Sequence, residues 1–227
     1  MMMAKAEEHM DKACICLREG KFRDAIKEYQ EALKMDPNNA IAHKSLGSLY
    51  YRQTMLDESI SEYKKAVELN PNYSDAHYEL GVSLYRRGKL EAAVSSFKEA
   101  LRINPNFLIA RYWLALSYYY IGKLKEAIEE FRATIDKGPK IEIAHYHLGI
   151  ALAREGKFDE AIQQFEEFVK EVPESAAAYY HLGINYYNKG NIDKAIVNFK
   201  KAVEMDPSDE RARNNLAKLE EERNKFF

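Results

Sequence analysis

Apolar and polar positions along the chain recur with a period of 34 residues, and each period carries two stripes of helical spacing. With Pro37, Pro71, Pro105, Pro139, Pro173 and Pro207 taken as register position 32, the periods start at Ala6, Ala40, Ser74, Leu108, Glu142 and Ala176. Positions 4, 8 and 11, joined by position 7, fall at i, i+4 and i+7 and share one helix face. Positions 20, 24 and 27 form a second stripe of the same kind. Position 20 reads Ala25, Ser59, Ala93, Ala127, Ala161 and Ala195, and position 24 reads Tyr29, Tyr63, Phe97, Phe131, Phe165 and Phe199. Between the stripes, position 15 is glycine in five of six periods, where a reversing chain needs a positive φ. Proline at 32 ends the second stripe, because the residue before proline avoids helical angles. Each period therefore predicts helix A, a tight turn, helix B and a loop.

Position 8 is Ala13, Gly47, Gly81, Ala115, Gly149 and Gly183. Small residues at 8 and 20 let the two helices approach, and the ring at 24 fills the space beside them. The second period reads Leu46-Gly47-x-x-Tyr50, Tyr63-x-x-Ala66 and Pro71, and the sixth reads Leu182-Gly183-x-x-Tyr186, Ala195, Phe199, Ala202 and Pro207. This pattern resembles the tetratricopeptide repeat (TPR) family, whose period is also 34 residues. The resemblance runs through six units over residues 6–207. It implies an all-α fold: a right-handed α-solenoid, or TPR superhelix, of six antiparallel helix pairs with helix A lining the concave face. Residues 208–227 are expected to form a capping helix and a short tail. Ser208-Asp209-Glu210 is a good helix start, Leu216 and Ala217 take positions 7 and 8, and Phe226 and Phe227 are expected to fray.

Composition narrows the class of function. The chain of 227 residues is 46% hydrophobic and 31% charged, too apolar for disorder. Its formal charge of −2 disfavours a general nucleic-acid or membrane-surface role. No apolar run is long enough to span a membrane, and the N-terminus lacks the apolar core of a signal peptide. Cys14 and Cys16 make no disulfide framework, and a cytoplasmic location is expected.

Catalytic motifs are not found. There is no Walker-type loop, HExxH or CxxC, and no serine stands in a nucleophile-elbow context. The histidines follow the repeat: His9, His43, His77 and His145 at position 4, His147 and His181 at position 6. His147 and His181 project from neighbouring helices and are candidates to approach each other, with protonation below about pH 6.5. They lack the acids or cysteines of a metal site. No enzymatic activity, metal or cofactor is expected.

A rotation of about 100° from the core stripe of helix A reaches positions 2, 5, 9, 12 and 13, which line the concave surface in the family. In the first three units this face carries Glu7, Lys44, Ser48 and Asp75, with Ser45 and Glu79 at the adjacent position 6, beside Tyr78, Tyr85 and Arg86. Later units supply Ile109, Tyr112, Trp113, Leu116, Tyr119, Tyr120, Ile143, Tyr146, Ile150, Arg154, Tyr180, Ile184 and Tyr187. A contiguous apolar surface of this kind marks an interaction site, and Tyr and Trp dominate binding energy. The expected partner is a protein or peptide segment, apolar or aromatic with some acidic character, such as an amphipathic helix across the fourth to sixth units. Arg86 and Arg154 are expected to pair its acids, and a Tyr112→Ala/Tyr146→Ala variant to lose binding with little loss of stability. The carboxylate clamp of chaperone-binding members is not matched, since Lys44 is followed by Ser48, Glu79, Ile109 and Trp113. The asparagine ladder of sugar-transferase superhelices is missing too. The chain is thus expected to be a non-enzymatic adaptor, scaffold or assembly factor. The alternative is a self-assembling scaffold, a homo-oligomer in which Phe226 and Phe227 fill a neighbour's groove.

Overall fold

The computed structural model describes residues 2–138 and 141–225, so Pro139, Phe226 and Phe227 lie outside the described residues. Thirteen α-helices and no strand occur among the described residues. They fall into two compact units, residues 1–121 and 122–227.

The first unit holds α1 (Met2–Arg18), α2 (Phe22–Met35), α3 (Ala40–Arg52), α4 (Leu56–Leu69), α5 (Ser74–Arg86), α6 (Leu90–Ile103) and α7 (Leu108–Tyr120). Helices α1 and α2, α3 and α4, and α5 and α6 pair, and each pair packs on the next. Gly81 shows why a small residue stands at position 8. A Cβ there would come within 2.6 Å of the Phe97 ring, which is fully buried. The turn at position 15 is left-handed, with φ +78° at Gly88. In the second repeat Thr54 takes the same place at φ 60°, a costly conformation for a β-branched residue.

The loops between pairs have their own repeated device. Asp36, Asn70 and Asn104, each just before the proline, accept the N–H of the residue two further on at 3.2–3.3 Å. These side chains close an Asx turn around the proline, so the turn is held although proline has no N–H to give.

The second unit holds α8 (Leu124–Lys137), α9 (Glu142–Arg154), α10 (Phe158–Glu171), α11 (Ala176–Asn188), α12 (Ile192–Met205) and α13 (Glu210–Lys225). Its core is the ladder of Phe165 and Phe199 against Gly149 and Gly183, with Leu148, Leu152 and Leu182 around it. Ser175 and Asn191 cap α11 and α12 by accepting from Ala178 and Lys194 N–H groups. Helix α13 packs on α12, where Leu219 is buried and Leu216 joins it against Ala195, Ile196 and Phe199.

Candidate functional site

In the first unit the A helices α5 and α7 bring an aromatic cluster together. The Tyr85 ring meets Trp113 edge-on at 5.1 Å and Tyr120 at 6.0 Å. Tyr119 meets Tyr120 at 5.3 Å, and Trp113 meets Tyr112 at 6.0 Å. These are edge-to-face contacts, each favourable beyond its buried area. Burial, then the neighbouring Tyr120, pushes the Tyr85 hydroxyl up to about 12. Tyr78 leans on Phe107 at 5.0 Å and on Phe97 at 6.2 Å.

Exposure divides the expected set. Tyr120 is 58% exposed and Ile109 38%, while Tyr78, Tyr85, Trp113 and Tyr119 are half-buried. Tyr112 and Leu116 are only 7% and 6% exposed. These two form the floor of the cluster, not its open face; the same register positions are only half-buried at Tyr78, Tyr180, Ile150 and Ile184, so it is the packing around α7 that covers them. The expectation that Tyr112 can be truncated with little loss of stability is corrected by that burial. Arg86 also behaves differently from a free acid-pairing group: its guanidinium lies over the Tyr51 ring at 4.9 Å.

In the second unit Tyr146 is the centre. Its ring touches Phe165, Phe168, His147 and His181 at 5.3–5.8 Å. The two histidines each have their own aromatic partner. His147 stacks on Phe131 at 6.1 Å, and His181 stacks on Phe165 at 5.3 Å with planes 6° apart. They flank Tyr146 as packed rings. Burial lowers both, and with the Arg211 charge nearby His181 falls to about 4. Protonation near pH 6.5 is therefore not what the folded site does. Ile143 and Tyr187 are exposed, Ile150, Tyr180 and Ile184 half-buried, and Arg154 is exposed on α9.

Two contributors were not picked out from the sequence. Phe107 precedes α7 and backs Tyr78. Arg211, from α13, lies over the Tyr180 ring at 4.9 Å, so the capping helix reaches the tyrosine face. Arg211 stands at register position 2, where the six repeats carry Glu7, Ile41, Asp75, Ile109, Ile143 and Ala177, so the repeat pattern alone gave no signal. The position 4 histidines are structural. His43 Nε2 donates to Pro37 O at 3.0 Å and His77 Nε2 to Pro71 O at 3.1 Å, tying helix A to the loop before it. His43 Nδ1 faces Glu62 Oε2 at 2.5 Å; burial opposes it, but His43 and Lys65 hold the Glu62 carboxyl below its usual range. No group of three or more His, Cys, Asp or Glu able to hold a metal occurs among the described residues.

A family profile described as the tetratricopeptide repeat matches residues 10–74, 55–107, 78–140, 112–176, 146–210 and 180–226. The chain belongs to the tetratricopeptide repeat family. Similar TPR structures agree. YrrB, a TPR protein with an unusual peptide-binding site, is 25% identical, with 82% of this chain and 96% of that one covered and a TM-score of 0.74. PilF of Pseudomonas aeruginosa is 17% identical over 97% of this chain and 99% of that one, TM-score 0.74. The type IV pilus biogenesis factor PilW is 19% identical over 93% and 98%, also at 0.74. At those identities PilF and PilW support the TPR fold alone. No curated protein sequence matches the chain. No helix among the described residues is long and apolar enough to cross a membrane.

Proposed function

We propose that the chain is a non-enzymatic protein-interaction module, an adaptor or assembly factor that holds an apolar or aromatic peptide segment on its A-helix faces. The observation that carries this reading is the cluster of Tyr85, Trp113, Tyr119 and Tyr120, rigid rings packed edge to face with Tyr120 open to solvent. Pre-packed rings give large contact area with little entropy left to lose on binding. The exposed Ile143 and Tyr187 offer similar chemistry in the second unit. YrrB, described as having a peptide-binding site, gives a precedent within the family. The free Cys14 and Cys16 suit a cytoplasmic location.

The test compares three proteins in affinity capture and in titration with captured peptides. Tyr120→Ala removes the most open ring and should lose binding while melting as the wild type does. Leu148→Ala, in the core at 2% exposure, should lose about 2–5 kcal/mol of stability and leave contacts on α7 intact. If Tyr120→Ala captures the same partners with the same affinity, the aromatic face is not the binding surface. Self-association through Phe226 and Phe227 is separated by deleting them: an unchanged oligomeric state removes that alternative.

A further inference from the structure

One carboxylate of the first unit stands apart from the others. Glu28, Glu31, Glu62 and Glu79 are its half-buried glutamates among the described residues. Glu28 faces His9, Glu31 pairs with Lys34, and Glu62 meets both His43 and Lys65. Glu79, on the A-helix face of α5, has no ion pair among the described residues. Its Oε2 accepts from the Tyr63 hydroxyl at 2.9 Å, and its Oε1 accepts from no group among them. A charge withdrawn from water in this way is costly until a cation meets it. The cations at hand do not serve it. Arg86, two turns further along α5, lies over the Tyr51 ring at 4.9 Å, and Lys44 of α3 makes no ion pair among the described residues.

Aromatic groups surround this carboxylate. Tyr78 precedes it on α5; burial first, and the Glu79 charge second, push the Tyr78 hydroxyl up. Trp113 of α7 donates its indole N–H to that hydroxyl and meets Tyr85 edge-on at 5.1 Å. Tyr63 is fully buried beneath. The register shows what such a tyrosine accepts. Tyr78 stands at position 5 of the third repeat and Tyr180 at position 5 of the sixth. Over the Tyr180 ring, at 4.9 Å, lies the guanidinium of Arg211, from position 2 of the next A-type helix. After Tyr78 that same position is Ile109, 38% exposed and without charge. The third repeat has the ring, and a carboxylate beside it, but not the cation.

We infer that Tyr78, Glu79 and Trp113 form the place where the bound peptide segment sets an arginine side chain. Its guanidinium takes over Tyr78 the position that Arg211 takes over Tyr180. The inference rests on the peptide-binding role proposed above for the A-helix face, and it names the charge the segment carries there. A guanidinium suits both partners. Its flat face is attracted to a tyrosine ring, and its forked N–H groups reach a carboxylate whose Oε1 is open. A lysine would meet the carboxylate as a point charge only. The acidic character expected of the segment from Arg86 is reversed at this place, since Arg86 is engaged on Tyr51 and Glu79 has no cation.

The probe is a capped leucine-alanine-arginine-alanine-leucine peptide, titrated into the full chain by calorimetry and amide chemical shifts. The same peptide with citrulline in place of arginine keeps the shape and removes the charge. The arginine peptide should bind about tenfold more tightly than the citrulline peptide, with shifts centred on Tyr78, Glu79 and Trp113. Glu79→Gln keeps an acceptor for Tyr63, should melt as the wild type does, and should bind the two peptides equally. Ile109→Arg, at an exposed position, supplies the cation from within as Arg211 does, and should also erase the preference. The proposal is overturned if the wild type binds neither peptide or both equally, or if the preference survives in either variant. N-acetylarginine amide is a further arm: saturation at a lower concentration than the peptide assigns the site to a free guanidinium and overturns the peptide reading. Tyr120→Ala separates this inference from the reading it rests on. It should weaken both peptides and leave their ratio unchanged; a loss of preference without loss of citrulline-peptide binding would overturn the assignment to Glu79.

Discussion

His181 illustrates how much a single residue's surroundings decide. Its imidazole lies flat on Phe165, edge-on to Tyr146 and Tyr180, with the Arg211 cation close by. Burial first, and that cation second, lower it from 6.5 to about 4. The folded protein then holds fewer protons than the unfolded chain between these two values. The stabilising effect is complete above about pH 6.5 and is lost as pH falls toward about 4, by up to about 3 kcal/mol. His181→Phe keeps a flat ring on Phe165 and removes the titration. Urea melts at about pH 7 and about pH 5 should show a smaller acid loss of stability for the variant than for the wild type. An equal loss in both would show that His181 is not the titrating group. From the sequence, His181 was legible as a repeat position but not as a stacked neutral ring. Its neighbours Phe165, Tyr146 and Arg211 sit on three other helices, and only folding brings them to it.

The elements were more legible than the side chains. Period, turn glycine and loop proline together mark where helix A ends and helix B begins, because each mark answers a local backbone need. Thr54 is the place where that need is met poorly. The turn forces φ to 60° although threonine disfavours it, and the hydroxyl bonds the Gln53 carbonyl at 2.6 Å. Thr54→Gly should therefore raise stability by about 1 kcal/mol, read as a higher denaturant midpoint. At the helix contact the sign reverses. A Cβ at Gly183 would come within 2.7 Å of Phe199, a fully buried ring. Gly183→Ala should destabilise by about 1–3 kcal/mol, because a packed core yields only by shifting ring and helix. What the periodicity could not resolve was rotation about the helix axis. Tyr112 and Leu116 are buried while Tyr120, on the same helix α7, is open. That distinction depends on the neighbouring helices' bulk, which a repeat register does not encode.

Within each unit, stability is built by each helix pair packing on the next, and in the second unit the face of α12 is covered by α13. Deleting residues 208–227 would uncover Ile196 and Phe199, against which Leu216 and Leu219 pack. The expected loss is on the order of 3 kcal/mol from those two leucines, with increased self-association from the bared apolar face; equilibrium unfolding and sedimentation measure both. A wild-type midpoint after the deletion would mean that α13 does not stabilise the stack. Trp113 gives the molecule a further property. It is the only tryptophan of the chain and lies in the first compact unit, among Tyr85 and Tyr112. Its emission therefore watches residues 1–121 while residues 122–227 have no such lamp. Helical circular dichroism sees both. The gap between the two unfolding curves is a direct reading of how far one half of the chain can come apart without the other.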